Sequence, residues 1–125
     1  MIETGDQGLA KGVRSLCWAR DGNLLAAACD DGHAHVYDTM SGQLAVDMAG
    51  HEGAVFGVGL SLDGAQAVTG SADATVRLWD VRTGACAQVL SGEHTQAVWG
   101  VAVSPTGGLV ATCSDDASLA LLALS

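Results

Sequence analysis

The chain has 125 residues, 49% of them hydrophobic and 15% charged, and its formal net charge is −9. That balance excludes intrinsic disorder, which needs low hydrophobicity and high charge. It also argues against direct binding of nucleic acid or an anionic membrane, because Lys11, Arg14, Arg20, Arg77 and Arg82 form no basic stripe; a protein partner with a basic patch fits the charge better.

Residues 1–11 read as a polar lead-in, and Met1–Gly5 has neither the basic nor the apolar segment of a secretory leader. A first unit, 12–50, offers strands at Val13–Trp18, Leu24–Cys29, His33–Tyr37 and Gln43–Met48. A second, 51–92, offers Val55–Leu60, Ala65–Gly70, Thr75–Trp79 and Ala85–Leu90. A third, 93–125, offers Val98–Val103, Leu109–Cys113 and Ser118–Leu122, with no fourth strand. Short apolar, β-branched runs between Gly, Asp and Ser turns predict an all-β fold. The first strand of each unit is almost continuously apolar, which predicts burial on both faces. The most apolar stretches, Ala54–Leu62 and Leu119–Leu124, fall well short of the roughly 18 residues of a membrane span. Cys17, Cys29, Cys86 and Cys113 form no C-x-x-C pair and sit inside apolar runs. They predict buried free thiols in a reducing compartment, hence an intracellular protein of the cytoplasm or nucleus.

The units repeat. Gly22, Gly64 and Gly107, each after a small polar residue, are 42 and 43 residues apart. The turn aspartates Asp31, Asp73 and Asp116 keep the same spacing, as do Tyr37-Asp38, Trp79-Asp80 and Leu122-Ala123. Three markers in one register indicate a repeat architecture. The second unit reads Gly50-His51, then Ser61-Leu62-Asp63-Gly64, then Thr69-Gly70-Ser71-Ala72-Asp73 and Thr75-Val76-Arg77-Leu78-Trp79-Asp80. It resembles a full WD repeat. The resemblance implies a β-propeller with four antiparallel strands per blade, here a partial one of three blades whose last lacks its outer strand. It also implies that the chain is a non-catalytic platform for other proteins.

By the same resemblance, His51, Thr69, Asp73 and Trp79 match the family's buried polar tetrad. Asp73 would accept from the His51 ring, whose other nitrogen would meet the Thr69 hydroxyl, which would reach the Trp79 indole. The third unit keeps His94, Thr112 and Asp116 but has Leu122 for the Trp, and Glu93 splits its Gly-His pair. The first keeps Asp31, with Tyr37 for the Trp, Leu9 for the His and Ala27 for the Thr. One complete clasp, one partial and one absent are therefore expected, with the first blade the loosest.

Three blades do not close a ring, since propellers have four to eight. The expectation is part of a larger propeller, or a chain whose bare blade faces and open edge drive self-association. Within the family, Val13-Arg14-Ser15-Leu16, His35-Val36-Tyr37-Asp38, His94-Thr95-Gln96-Ala97-Val98-Trp99 and Ser114-Asp115-Asp116 resemble the last three repeats of the WD-repeat subunits of superkiller complexes. That likeness implies a scaffold in RNA decay and in transcription elongation. The alternative is a WD adaptor of another class, a ubiquitin-ligase substrate receptor or a signalling scaffold.

No G-x-S-x-G elbow, phosphate-binding loop or H-E-x-x-H motif occurs, so neither catalysis nor a cofactor is expected. His33-Ala34-His35 has the most metal-like spacing, yet two ligands do not make a site, and the pair reads as ordinary strand histidines. Trp18, Trp79 and Trp99 read as core or blade-face packing. The candidate partner face comprises Lys11, Asp30, Glu52, Gln96 and Asp115, in loops at one end of the blades, with Asp30, Glu52 and Asp115 forming an acidic rim.

Overall fold

In the computed structural model the described residues are 12–92, 94–104 and 108–123. Lys11, the remaining lead-in with Leu9, Glu93, Gly107 and Leu124 lie outside them. The described chain is built of strands and turns without a helix, so among the described residues no helix is long and apolar enough to cross a membrane.

Blade 1 consists of β1 (Val13–Trp18), β2 (Leu24–Cys29), β3 (His33–Asp38) and β4 (Leu44–Ala49). Blade 2 consists of β5 (Val55–Leu60), β6 (Gln66–Ser71), β7 (Val76–Asp80) and β8 (Cys86–Leu90). Blade 3 consists of β9 (Val98–Val103), β10 (Leu109–Ser114) and β11 (Leu119–Ala123). Within each blade every strand pairs antiparallel with the next, giving two four-stranded sheets and one three-stranded sheet. This is a partial β-propeller, and every strand lies within a residue of its expected bounds.

The second turn of each blade explains why the repeats fold alike. The Oδ1 atoms of Asp31, Asp73 and Asp116 accept the backbone N–H of His33, Thr75 and Ser118 at 3.0, 3.0 and 2.9 Å. A carboxylate bonding two residues ahead imitates a backbone turn. The next residue is left-handed in each case: Gly32 at φ 86°, Ala74 at 69° and Ala117 at 68°.

The blades stack through their faces. Strand β5 packs on β1 and β2, and β9 packs on β5 and β6. Ala26, Ala28, Val36 and Met48 of blade 1 meet Val55, Val58, Leu60 and Trp79 of blade 2. Val68 and Val76 of blade 2 meet Val98 and Val110 of blade 3. Glycine sets the closeness of the second interface: a Cβ on Gly70 would lie 2.5 Å from Val98 Cγ1.

Several burial expectations need correction. Only β5 among the innermost strands is buried almost throughout; β1 and β9 alternate with exposed residues. The reason is position, since only blade 2 has a described blade on both sides. Trp18 and Trp99 are 62% and 47% exposed, so of the three tryptophans only Trp79 is core. Of the free thiols, Cys29 is buried, Cys17 is half-buried, and Cys86 and Cys113 are exposed. Cys86 begins the outermost strand of blade 2. Cys113 shares the far face of blade 3 with Leu109, Leu119 and Leu121, which has no described blade against it.

Candidate functional site

Blade 2 brings His51, Thr69, Asp73 and Trp79 together. His51 Nδ1 lies 3.0 Å from Asp73 Oδ2, and Nε2 lies 2.6 Å from Thr69 Oγ1. The Trp79 indole N–H donates to that same hydroxyl oxygen at 2.8 Å. These contacts fix the tautomer. The ionised Asp73 carboxylate can only accept, so the ring proton sits on Nδ1, and Nε2 accepts the Thr69 hydroxyl proton while that oxygen accepts from Trp79. Asp73 Oδ2 also accepts the Glu52 backbone N–H at 2.9 Å. One carboxylate thus closes its own turn through Oδ1 and pins the loop before β5 through Oδ2.

Burial pushes the Asp73 carboxyl up, but bonds from the Thr75 hydroxyl, the Glu52 amide and His51 outweigh it and hold it at about 2. Burial lowers the His51 pKa, and Asp73 only partly offsets this. Although Thr69, His51 and Asp73 include the residue types of a hydrolytic triad, Thr69 is 0% exposed and enclosed by His51 and Trp79. No substrate reaches that hydroxyl in this arrangement.

Blade 3 brings His94, Thr112 and Asp116 together. His94 Nδ1 is 3.1 Å from Asp116 Oδ2 and Nε2 is 2.8 Å from Thr112 Oγ1. The Thr95 amide donates to Asp116 at 2.9 Å. Bonds from the Ser118 hydroxyl and the Thr95 amide hold the Asp116 carboxyl well below its ordinary range. Leu122 supplies no indole donor here. In blade 1, Asp31 makes the turn bond to His33. Ala27 has no hydroxyl, and the buried Tyr37 hydroxyl has no hydrogen-bond partner among the described residues.

Sequence reading missed Thr75 and Ser118, which brace the aspartates. The Thr75 hydroxyl is 3.2 Å from His51 Nδ1, and that of Ser118 is 2.9 Å from His94 Nδ1. Ser71 was also missed; its buried hydroxyl donates to the carbonyls of Gly53 and Ala54. Their common repeat offset was the available signal.

His33 and His35 of blade 1 diverge in environment. His33 Nδ1 bonds Asp47 Oδ1 at 2.8 Å. His35 is 2% exposed, and neither of its ring nitrogens has a hydrogen-bond partner among the described residues. Its Nδ1 comes within 3.5 Å of the Asp47 carboxylate without making a hydrogen bond. Burial lowers the His35 pKa, with Asp47 and Asp31 opposing. On the same face, burial and the surrounding aspartates push the Cys29 thiol up to about 12.

At the end of the blades where β1, β5 and β9 begin, Asp30, Glu52, Gln96 and Asp115 are all exposed. Antiparallel pairing places them at one end, since Val13 opposes Cys29, Val55 opposes Ser71 and Val98 opposes Ser114. Asp30 forms an ion pair with Arg14. Lys11, the fifth candidate, lies outside the described residues.

The same end carries a feature the sequence reading overlooked. Arg14, Phe56 and Trp99 occupy corresponding positions, the second residue of each innermost strand. Phe56 and Trp99 stack with centroids 4.2 Å apart and planes 11° from parallel. The Arg14 guanidinium carbon sits 5.3 Å from the Phe56 centroid. The offset of 42 and 43 residues that found the turns also links these three positions.

The geometry defines a repeat protein with rigid sheets and a polar, aromatic-bearing loop end, and the family match agrees: the chain belongs to the WD domain, G-beta repeat family, whose model matches residues 42–80 and 84–121. WD-repeat proteins serve as interaction scaffolds and are generally non-catalytic. A second model, the anaphase-promoting complex subunit 4 WD40 domain, matches residues 2–58. Among individual relatives, the chain is 35% identical over 80% of its length to eukaryotic translation initiation factor 3 subunit I of Aspergillus fumigatus, covering 29% of that protein. It is 32% identical over 63% of its length to cell division control protein 4 of Saccharomyces cerevisiae, covering 10% of it. It is 40% identical over 62% of its length to WD repeat-containing protein pop1 of Schizosaccharomyces pombe, again covering 10%. The chain therefore spans less than a third of each of these relatives.

Proposed function

We propose that this chain is a non-catalytic scaffold that grips protein partners through the loop end carrying Arg14, Phe56 and Trp99, rimmed by Asp30, Glu52, Gln96 and Asp115. The observation that carries the reading is the exposed stack. Trp99 is 47% exposed yet held in place by Phe56. A large aromatic surface already fixed in one conformation loses little entropy on binding, and aromatic and arginine side chains are enriched in binding hot spots. The acidic rim selects partners of opposite charge.

As to the complex served, the likeness of its repeats to WD-repeat subunits of superkiller complexes supports a place in cytoplasmic RNA decay and in nuclear transcription elongation. The second reading is a WD adaptor of another class, a ubiquitin-ligase substrate receptor or a signalling scaffold. An isolated chain would expose apolar surface such as Leu109, Leu119 and Leu121 and self-associate through its open blade faces. The test is affinity capture of the chain from cell extract, comparing the parent with Trp99→Ala and with Asp30→Lys/Asp115→Lys. Both variants are expected to lose the partners that the parent retains. Partner sets unchanged in both variants would remove this face from the account, and the retained complex distinguishes RNA decay from an adaptor role.

A further inference from the structure

We propose that His33, His35 and Asp47 form a binding site for one divalent transition-metal ion of the zinc class, which clips β3 to the outer strand β4 in the blade that lacks a polar tetrad. Alternation along β3 puts both histidines on one face, and antiparallel register sets Asp47 directly opposite His35. One donor atom from each residue lies within 4.8 Å of the others. The His33 and His35 Nδ1 atoms are 2.8 and 3.5 Å from Asp47 Oδ1. Ligands about 2.0–2.1 Å from a tetrahedral zinc stand roughly 3.3 Å from one another, so little movement separates this arrangement from a coordinated one.

The independent sign of a missing ligand is His35. It is 2% exposed, and among the described residues both of its nitrogens lack a hydrogen-bond partner. Buried polar groups are nearly always bonded, and an orphan carries a desolvation cost that something should offset. A metal ion takes up the lone pair that no protein donor meets. The His33 and Asp47 side chains are 36% and 43% exposed, giving the ion access and leaving room for a water as fourth ligand. Two imidazoles and one carboxylate suit zinc, cobalt or nickel rather than calcium or magnesium, which take oxygen ligands.

The repeat itself does not demand these residues. The corresponding positions of blade 2 hold Thr75, Arg77 and Val89, and those of blade 3 begin Ser118 and Ala120. Cys29 and Asp31 form a second possible set with His35. Cys29 is fully buried, whereas His33 and Asp47 open to solvent, which favours the imidazole and carboxylate set.

The test uses the full chain carrying Cys86→Ser and Cys113→Ser, so that exposed thiols do not bind metal, after treatment with a chelator. Zinc chloride is titrated by calorimetry, and cobalt(II) is added as a spectroscopic probe. The expected result is one equivalent bound, with a cobalt spectrum free of sulfur-to-metal charge transfer. His33→Gln and Asp47→Asn should each weaken binding at least tenfold while the circular dichroism of the fold stays unchanged. No zinc binding by the parent, or equal binding by those two variants, overturns the proposal. So does a charge-transfer band that Cys29→Ser abolishes, since it moves the ion to the Cys29 and Asp31 side.

Discussion

Blade 2 and blade 1 make the same turn but use its aspartate differently. In blade 2, Asp73 closes the turn with Oδ1 and holds His51 and the Glu52 amide with Oδ2. In blade 1, Asp31 bonds the His33 amide, and the positions of the hydroxyl and the indole are taken by Ala27 and Tyr37. The difference separates two jobs that one side chain performs. Turn closure is local and recurs in all three blades; the long-range clasp needs a histidine, a hydroxyl and an indole delivered from distant parts of the repeat. Blade 3 stands between them, with its histidine and threonine bonded and no indole.

The strongest way to break the comparison is to convert blade 2 into the arrangement of blade 3. Trp79→Leu removes a side chain that is 1% exposed and takes a donor from the buried Thr69 hydroxyl. Lost packing and a lost buried bond together should cost about 3–5 kcal/mol. Equilibrium denaturation in urea checks this, and a loss under about 1 kcal/mol would show that the indole adds little to the clasp.

Hydrogen exchange tests the contrast without mutation. Amides of β6 and β7 should be protected roughly tenfold or more beyond those of β2 and β3, since regional opening follows local contact and bonding. Equal protection in the two blades would sink the idea that the clasp governs local stability. If zinc added to the chain raised protection in β3 and β4 alone, the clip in blade 1 would have replaced the missing clasp.

Acid should separate the blades further. The folded Asp73 pKa, about 2, lies below the value of about 3.9 in an unfolded chain. The unfolded state therefore binds the proton first, and the stabilisation, complete above about pH 4, is lost as the pH falls towards 2. Asp116 behaves in the same direction. His51 and His35 have lowered values, so the unfolded chain again protonates first and stability falls below about pH 6.5 in both blade 1 and blade 2. The lower window should appear in blades 2 and 3, and Asp73→Asn should remove blade 2's share. An acid transition identical in the parent and Asp73→Asn would show that this carboxylate does not drive it.

How much of this was legible follows from what each residue answers to. Strand positions were, because alternation and turn chemistry are local and recur in register. The grouping of His51, Thr69, Asp73 and Trp79 was too, because the motif fixes their offsets. Burial of the outer units was misjudged: apolar runs such as those holding Cys17 and Cys113 report what a strand prefers, not whether a neighbour covers it. The Arg14, Phe56 and Trp99 stack went unseen because three different side chains share no motif and meet only through the stacking of blades. Asp47 was missed beside the His33 and His35 pair for a similar reason, since it comes from the next strand through register alone.

The smallest test concerns the left-handed residue that follows each turn aspartate. Gly32 occupies it without strain, while Ala74 and Ala117 hold φ 69° and 68° against the preference of an L side chain. Ala74→Gly relieves that strain but frees the unfolded chain, and the two effects leave a net gain of about 0.5 kcal/mol. The reverse change in blade 1 is not its mirror image. A Cβ on Gly32 would stand 2.8 Å from the His51 carbonyl oxygen, so Gly32→Ala must shift the very loop that presents His51 to its clasp. It should therefore cost more than Ala74→Gly gains, and part of that cost should register in blade 2. Thermal unfolding of the two single variants measures the asymmetry, and equal and opposite shifts would show that Gly32 answers to its φ alone rather than to the neighbouring blade.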